Sequence, residues 1–88
     1  MVERTVTIVN KNGVHARPAA EIVKTAGKFA SNVTIVRDDF EVNGKSIMGV
    51  MMLAAECGSQ IILRATGTDA DDAVEALAQL VAAKFGEK

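Results

Sequence analysis

Four short runs in this chain place apolar residues at alternate positions, and helix-periodic stretches separate them. That alternation constrains the fold class more than any other feature of the sequence. The first run, Glu3 to Val9, contains Arg4-Thr5-Val6-Thr7-Ile8 and reads as a strand. Asn10-Lys11-Asn12-Gly13 is loop chemistry. A helix is then expected from Ala16 to Gly27, because Ala19, Ile22, Val23 and Ala26 form a core-facing stripe. Gly27 is its expected stop. Strands are expected at Asn32 to Arg37 and Phe40 to Val42, joined by a tight turn at Asp38-Asp39. Asn43-Gly44 breaks the third strand, and a short helix follows from Ile47 to Leu53. A fourth strand runs from Gln60 to Thr66. The last helix spans about Ala70 to Lys84, with Thr68 or Asp69 as its cap. Val74, Leu77 and Val81 form its buried stripe, flanked by Leu80, and Lys84 sits near the negative end of its dipole.

The order βαββαβα describes an α+β sandwich, one sheet with its helices on one face. Thr and Arg at alternate strand positions leave the other face open to water. The 88 residues are expected to form a single domain, 1–88, too small to enclose an elaborate active site. The net charge is −1 and the aromatics are three Phe, which argues against nucleic-acid binding. The one cysteine, Cys57, forms no internal disulfide, which fits a reducing cytosol. Beside Gly58 and without an activating base, it reads as inert. Met1-Val2-Glu3-Arg4 lacks the apolar stretch of a signal peptide, and no run approaches the ~20 residues of a membrane span. A cytoplasmic protein that inserts in no membrane is expected.

The candidate chemistry lies in Asn12-Gly13-Val14-His15-Ala16-Arg17-Pro18-Ala19-Ala20, which holds the only histidine and the only proline. Pro18 belongs in a first helical turn, where a missing N–H costs nothing. The cap is either Arg17, with Pro18 first in the helix, or His15, with Pro18 further in. Both place His15 beside the unpaired N–H groups that open a helix. Those donors, including the amide of Ala16, and the charge of Arg17 suit an anion. A neutral imidazole nitrogen is a nucleophile, and phosphoryl transfer asks mainly for positioning and charge stabilisation. Those N–H groups and Arg17 give His15 positive surroundings. A lone histidine is more often a cap or surface residue with no task. A metal site has no second His or paired Cys to build on, so neither a metal nor another cofactor is expected.

Ser46 suits the N-cap of the helix beginning at Ile47, although Gly49 leaves the capping box incomplete. A phosphate there would be compatible with the helix and would add ~−2 charges. The helix itself is apolar nearly all round. Val50 and Leu53 are assigned to the core, and Ile47, Met48 and Met51 to a partly exposed patch shared with Ala20. Met52 is divided evenly between the two.

The segment Asn12 to Ala19 resembles the phosphorylation signature of the HPr family, the histidine-containing phosphocarriers of the bacterial phosphoenolpyruvate-dependent sugar phosphotransferase system. Asn43-Gly44-Lys45-Ser46-Ile47-Met48-Gly49-Val50-Met51 resembles the second signature of that family, around its regulatory serine. The resemblance covers essentially the whole chain. It implies an open-faced β-sandwich, with a four-stranded antiparallel sheet of order 1-4-2-3 and three helices on one face. It implies that His15 accepts a phosphoryl group on Nδ1 from enzyme I and passes it to the A domain of a sugar permease, with Arg17 as the active-site arginine. It further implies phosphorylation of Ser46 by a serine kinase in some members, which bind a transcriptional regulator. Ala20, Ile47, Met48 and Met51 would form the docking surface. Such a protein is a covalent carrier rather than a turnover enzyme, and a monomer is expected. Alternatives are a small-molecule-binding regulatory module, which leaves His15-Ala16-Arg17-Pro18 unexplained, and a paralogue serving a nitrogen-regulatory relay.

Overall fold

In the computed structural model, which describes residues 1–87, the chain runs β1 (Val2–Thr7), α1 (Ala16–Ala26), β2 (Asn32–Arg37), β3 (Phe40–Asn43), α2 (Ile47–Met52), β4 (Gln60–Thr66) and α3 (Ala70–Ala82), then a 3₁₀ turn (Lys84–Gly86). The strands form one antiparallel sheet of order β1-β4-β2-β3. Glu3 opposes Arg64, Thr34 opposes Arg64 from the other side, and Val36 opposes Glu41. Because side chains alternate along a strand, this register sends Ile61, Leu63, Ala65, Val33, Ile35 and Val42 to one face. The helices cover that face and supply Ala19, Ile22, Val50, Val74, Leu77 and Val81 to the same core. Burying each of the larger aliphatic chains contributes roughly 1.5–3 kcal/mol against water.

The opposite face of the sheet carries an ion-pair ladder. Arg64 on β4 pairs with Glu3 on β1 and reaches across β2 to Glu41 on β3. Val36 of β2 is buried yet stands outside the main core, and its outward register places it on this face. The long stem of an arginine covers apolar surface while its head stays wet.

Some boundaries differ from the sequence expectation for identifiable reasons. β1 stops at Thr7 rather than Val9. Ile8 still pairs with the backbone of Gly58 and Ser59, but Gly58 has φ +92 and turns the partner segment away from extended geometry. Gly27 ends α1 as expected, with right-handed backbone at φ −65. The last helix closes at Ala82, before Lys84. Lys84 and Phe85 adopt φ near +57 and +56, which reverses the chain and returns the Phe85 ring to the core. Met52 is exposed, not packed. At the end of α2, Arg37 donates to the carbonyls of Leu53 and Ala54 at 2.9 and 3.0 Å, satisfying acceptors that the helix leaves open.

Asp69 occupies the N-cap position of α3, but its carboxylate does not cap that helix. It accepts from the N–H groups of Ala30 and Ser31 at 2.9 Å and from the Ser31 hydroxyl. The hydroxyl, then the Ala30 amide, hold its carboxyl below the ordinary carboxylate value against a smaller opposing effect of burial. A depressed folded value means that this support is complete above the unfolded value near 4 and is lost as pH falls through the folded one. Asp69→Asn is therefore expected to lower Tm at neutral pH and to flatten the acid limb of the Tm profile below about pH 4. Circular-dichroism melts from pH 2 to 7 check this, and parallel acid limbs would count against it.

Candidate functional site

The loop between β1 and α1 is shaped by its backbone. Gly13 has φ +67, and a Cβ there would stand 2.4 Å from the Ala55 carbonyl oxygen. No L side chain fits that approach. The next residue, Val14, buries its side chain and donates its N–H to the same carbonyl at 2.8 Å. Asn10, fully buried, donates its amide to the Gly13 carbonyl at 2.7 Å. These contacts lock the loop onto the segment that follows α2 and deliver His15 to the surface.

His15 is the N-cap of α1, with φ −101 and ψ −166, and its carbonyl accepts the first helical bond from Ala19 at 2.9 Å. This resolves the two cap registers left open by the sequence. Ala16, Arg17 and Pro18 are the first three helical residues, so Pro18 falls where no intrahelical N–H is needed. Arg17 takes helical backbone despite preceding proline, against the usual preference. Among these three, Ala16 and Arg17 carry N–H groups without an intrahelical acceptor. The His15 side chain is 42% exposed and makes no capping bond. Arg17 is exposed, and no hydrogen bond holds its guanidinium among the described residues. Its charge reaches Glu87.

Sequence reasoning missed Asn10 and Glu87. Glu87 Oε2 lies 2.7 Å from His15 Nε2, and Oε1 accepts from the Asn10 amide at 2.9 Å. The surroundings of His15 are therefore mixed in sign, because a carboxylate joins the positive groups expected there. The Asn10 amide, more than the His15 ring and the charges of His15 and Arg17, holds the Glu87 carboxyl below its ordinary value, with burial opposing. An ionised carboxylate only accepts hydrogen bonds, so Nε2 is the donor in this pair. No signal in the sequence joins positions this far apart. Asn10 read as a loop residue, and Glu87 lies beyond the last expected helix.

The structure places the remaining candidates as follows. Ser46 is the N-cap of α2, its hydroxyl accepting from the Gly49 N–H at 3.2 Å. Ile47, Met48, Met51 and Met52 are exposed, with Met48 at 69%, while Val50 and Leu53 are buried. Ala20 is exposed on α1, the helix against which α2 packs. Cys57 is exposed. Among the described residues no cluster of His, Cys, Asp and Glu could hold a metal ion, and no helix is long and apolar enough to cross a membrane.

Comparison with known proteins adds the following. Residues 2–83 match the family model described as the phosphorylation site of the phosphotransferase-system HPr component. The chain is 50% identical over 88 residues to the phosphocarrier protein HPr of Treponema pallidum, covering 100% of both chains. It is 48% identical over 87 residues to the phosphocarrier protein HPr of Cupriavidus necator, covering 99% of this chain and 98% of that one. The crystal structure of HPr-C-His from Thermoanaerobacter tengcongensis superposes with a TM-score of 0.96 at 48% identity, over 100% of this chain and 99% of that one.

The loop geometry yields a direct test. Gly13→Ala forces both a left-handed residue and a clash with Ala55, and is expected to cost about 1–3 kcal/mol of stability. It should also shift the His15 ring resonances. Urea unfolding together with NMR checks this, and an unchanged midpoint would show that the approach to Ala55 is not tight.

Proposed function

Because the chain belongs to the HPr family of phosphocarriers of the phosphotransferase system, we propose that His15 carries the phosphoryl group, taking it from enzyme I and giving it to the A domains of sugar permeases. The observation that supports this most strongly is the exposed imidazole at the start of α1, beside the open amides of Ala16 and Arg17. In the forward step the Nδ1 lone pair forms the N–P bond. The bond from phosphorus to the donor protein breaks, and its electron pair leaves with the donor atom. The equatorial oxygens then carry charge that helix-opening N–H groups and the Arg17 guanidinium stabilise. An exposed ring suits a carrier, since donor and acceptor must each reach the same nitrogen in turn.

Ala20, Ile47, Met48 and Met51 form the docking surface in this proposal, and the exposure of Met52 adds it to the patch. Methionine side chains adapt to partners of differing shape. Ser46 is the regulatory site, modified by a serine kinase and released by a phosphatase, with a transcriptional regulator as a further partner of the modified form. A phosphate at this position adds ~−2 charges next to a surface that receives an anionic phosphoprotein. The protein works in this way as a cytoplasmic monomer of one domain, without a cofactor.

Incubating the chain with phosphoenolpyruvate and enzyme I, and reading intact mass, tests the proposal. A gain of one acid-labile phosphoryl group is expected, and it should vanish in His15→Ala with no change in the circular-dichroism spectrum. Labelling by the first enzyme of a nitrogen-regulatory relay, but not by that of the sugar system, would redirect the proposal to the paralogous pathway. Ser46→Asp should slow His15 phosphorylation by about tenfold or more through repulsion while sparing Tm. Equal rates for this variant and the parent would remove the electrostatic account of Ser46.

A further inference from the structure

Behind the His15 ring the chain brings together residues 77 and 72 positions apart: Asn10 with Glu87, and His15 with Glu87. Both oxygens of the Glu87 carboxylate are engaged, one by the buried Asn10 amide at 2.9 Å and one by His15 Nε2 at 2.7 Å. Asn10 is itself fixed, since the same amide also donates to the Gly13 carbonyl at 2.7 Å. The approach of Glu87 is built as well. Lys84 and Phe85 take left-handed backbone, the Phe85 ring is buried, and the Glu87 N–H returns to the Lys84 carbonyl at 2.9 Å. This anchoring fixes where the Glu87 carboxylate stands.

Taking His15 as the phosphoryl acceptor, we propose that Glu87, steadied by Asn10, is a positioning residue that keeps the proton on Nε2, so that Nδ1 presents the lone pair, and that balances the charge the ring gains during transfer. The two nitrogens of a neutral imidazole differ only in which one holds the hydrogen. A carboxylate at Nε2 accepts that hydrogen in a bond and makes the arrangement with a free Nδ1 the favoured one. When Nδ1 forms the N–P bond no proton has to leave, so the ring acquires one positive charge spread over both nitrogens. Glu87 faces that charge from the Nε2 side. When the phosphoryl group departs, the N–P electron pair returns to Nδ1 and the ring is neutral again with its Nε2 hydrogen in place. A buried carboxylate performs the same orienting and charge-balancing task for the histidine of hydrolytic triads. Among the described residues, the charge of Arg17 also acts on Glu87. The ring thus has a negative group on its Nε2 side and a positive side chain two residues along the helix.

The test uses the full-length chain with ¹⁵N-labelled histidine, the parent beside Glu87→Ala and Glu87→Gln. At a pH above the ring titration the parent is expected to show a protonated Nε2 and an unprotonated Nδ1. Glu87→Ala should move both resonances toward the average of two exchanging forms. Glu87→Gln, whose amide oxygen still accepts from Nε2–H, should keep the parent spectrum. Rates are measured with enzyme I and phosphoenolpyruvate, and separately with phosphoramidate, a chemical donor that needs no partner protein. Both variants should lose about tenfold with either donor, since both lack the charge. A parent that is labelled by phosphoramidate and not by enzyme I would refute the carrier role alone, while the spectra and chemical rates still decide the role of Glu87. An unchanged Glu87→Ala spectrum, or variant rates within about twofold of the parent with phosphoramidate, would overturn the proposal.

Discussion

One backbone contact supports everything that the histidine loop does. The Ala55 carbonyl receives the Val14 N–H at 2.8 Å, and Gly13 passes so near the same oxygen that no Cβ could stand there. This contact ties the start of α1 to the segment leaving α2. It therefore couples the two distinctive stretches of the sequence, the histidine loop and the apolar helix, in one rigid corner. Val14 goes into the core on one side of the contact, and His15 emerges on the other. A loop that hung only from its ends would leave the ring free to wander, and a small domain has few other means of holding it.

Within that corner the electrostatic arrangement is two-sided. Open amides of Ala16 and Arg17, together with a guanidinium, favour an anion approaching the helix start. A carboxylate held by a buried amide stands behind the ring. In the carrier role proposed for His15, the amides and the guanidinium would face the phosphate oxygens and the carboxylate would face the ring, so each charge would meet its opposite.

Much of the fold was legible because its elements have clear periods. The stripes of α1 and α3, the alternation in β2 and β4, and the division of α2 and its C-cap into buried Val50 and Leu53 with exposed Ile47, Met48 and Met51 all appear in the structure. Misjudged boundaries fall where long-range packing prevails over local preference. α3 ends early because Phe85 must turn back to the core, and Asp69 leaves its own helix uncapped because Ala30 and Ser31 claim its oxygens. Of the candidate site, the local part could be read: a histidine, an arginine and a proline within four positions carry their own geometry. The Asn10–Glu87 pair could not, since its partners meet only through tertiary structure and neither has a distinctive neighbourhood in sequence.

The ladder of Glu3, Arg64 and Glu41 gives the molecule a second, contrasting side. Charges of alternating sign spread over three strands hold water firmly and offer no flat apolar area on which another sheet could stack. Encounters from that direction end quickly, because separating the surfaces releases nothing and joining them strips hydration from ions. The exposed methionines of α2 lie away from that ion-paired face. In the carrier role proposed for His15, a collision on the ion-paired face would dissolve before it delayed the next.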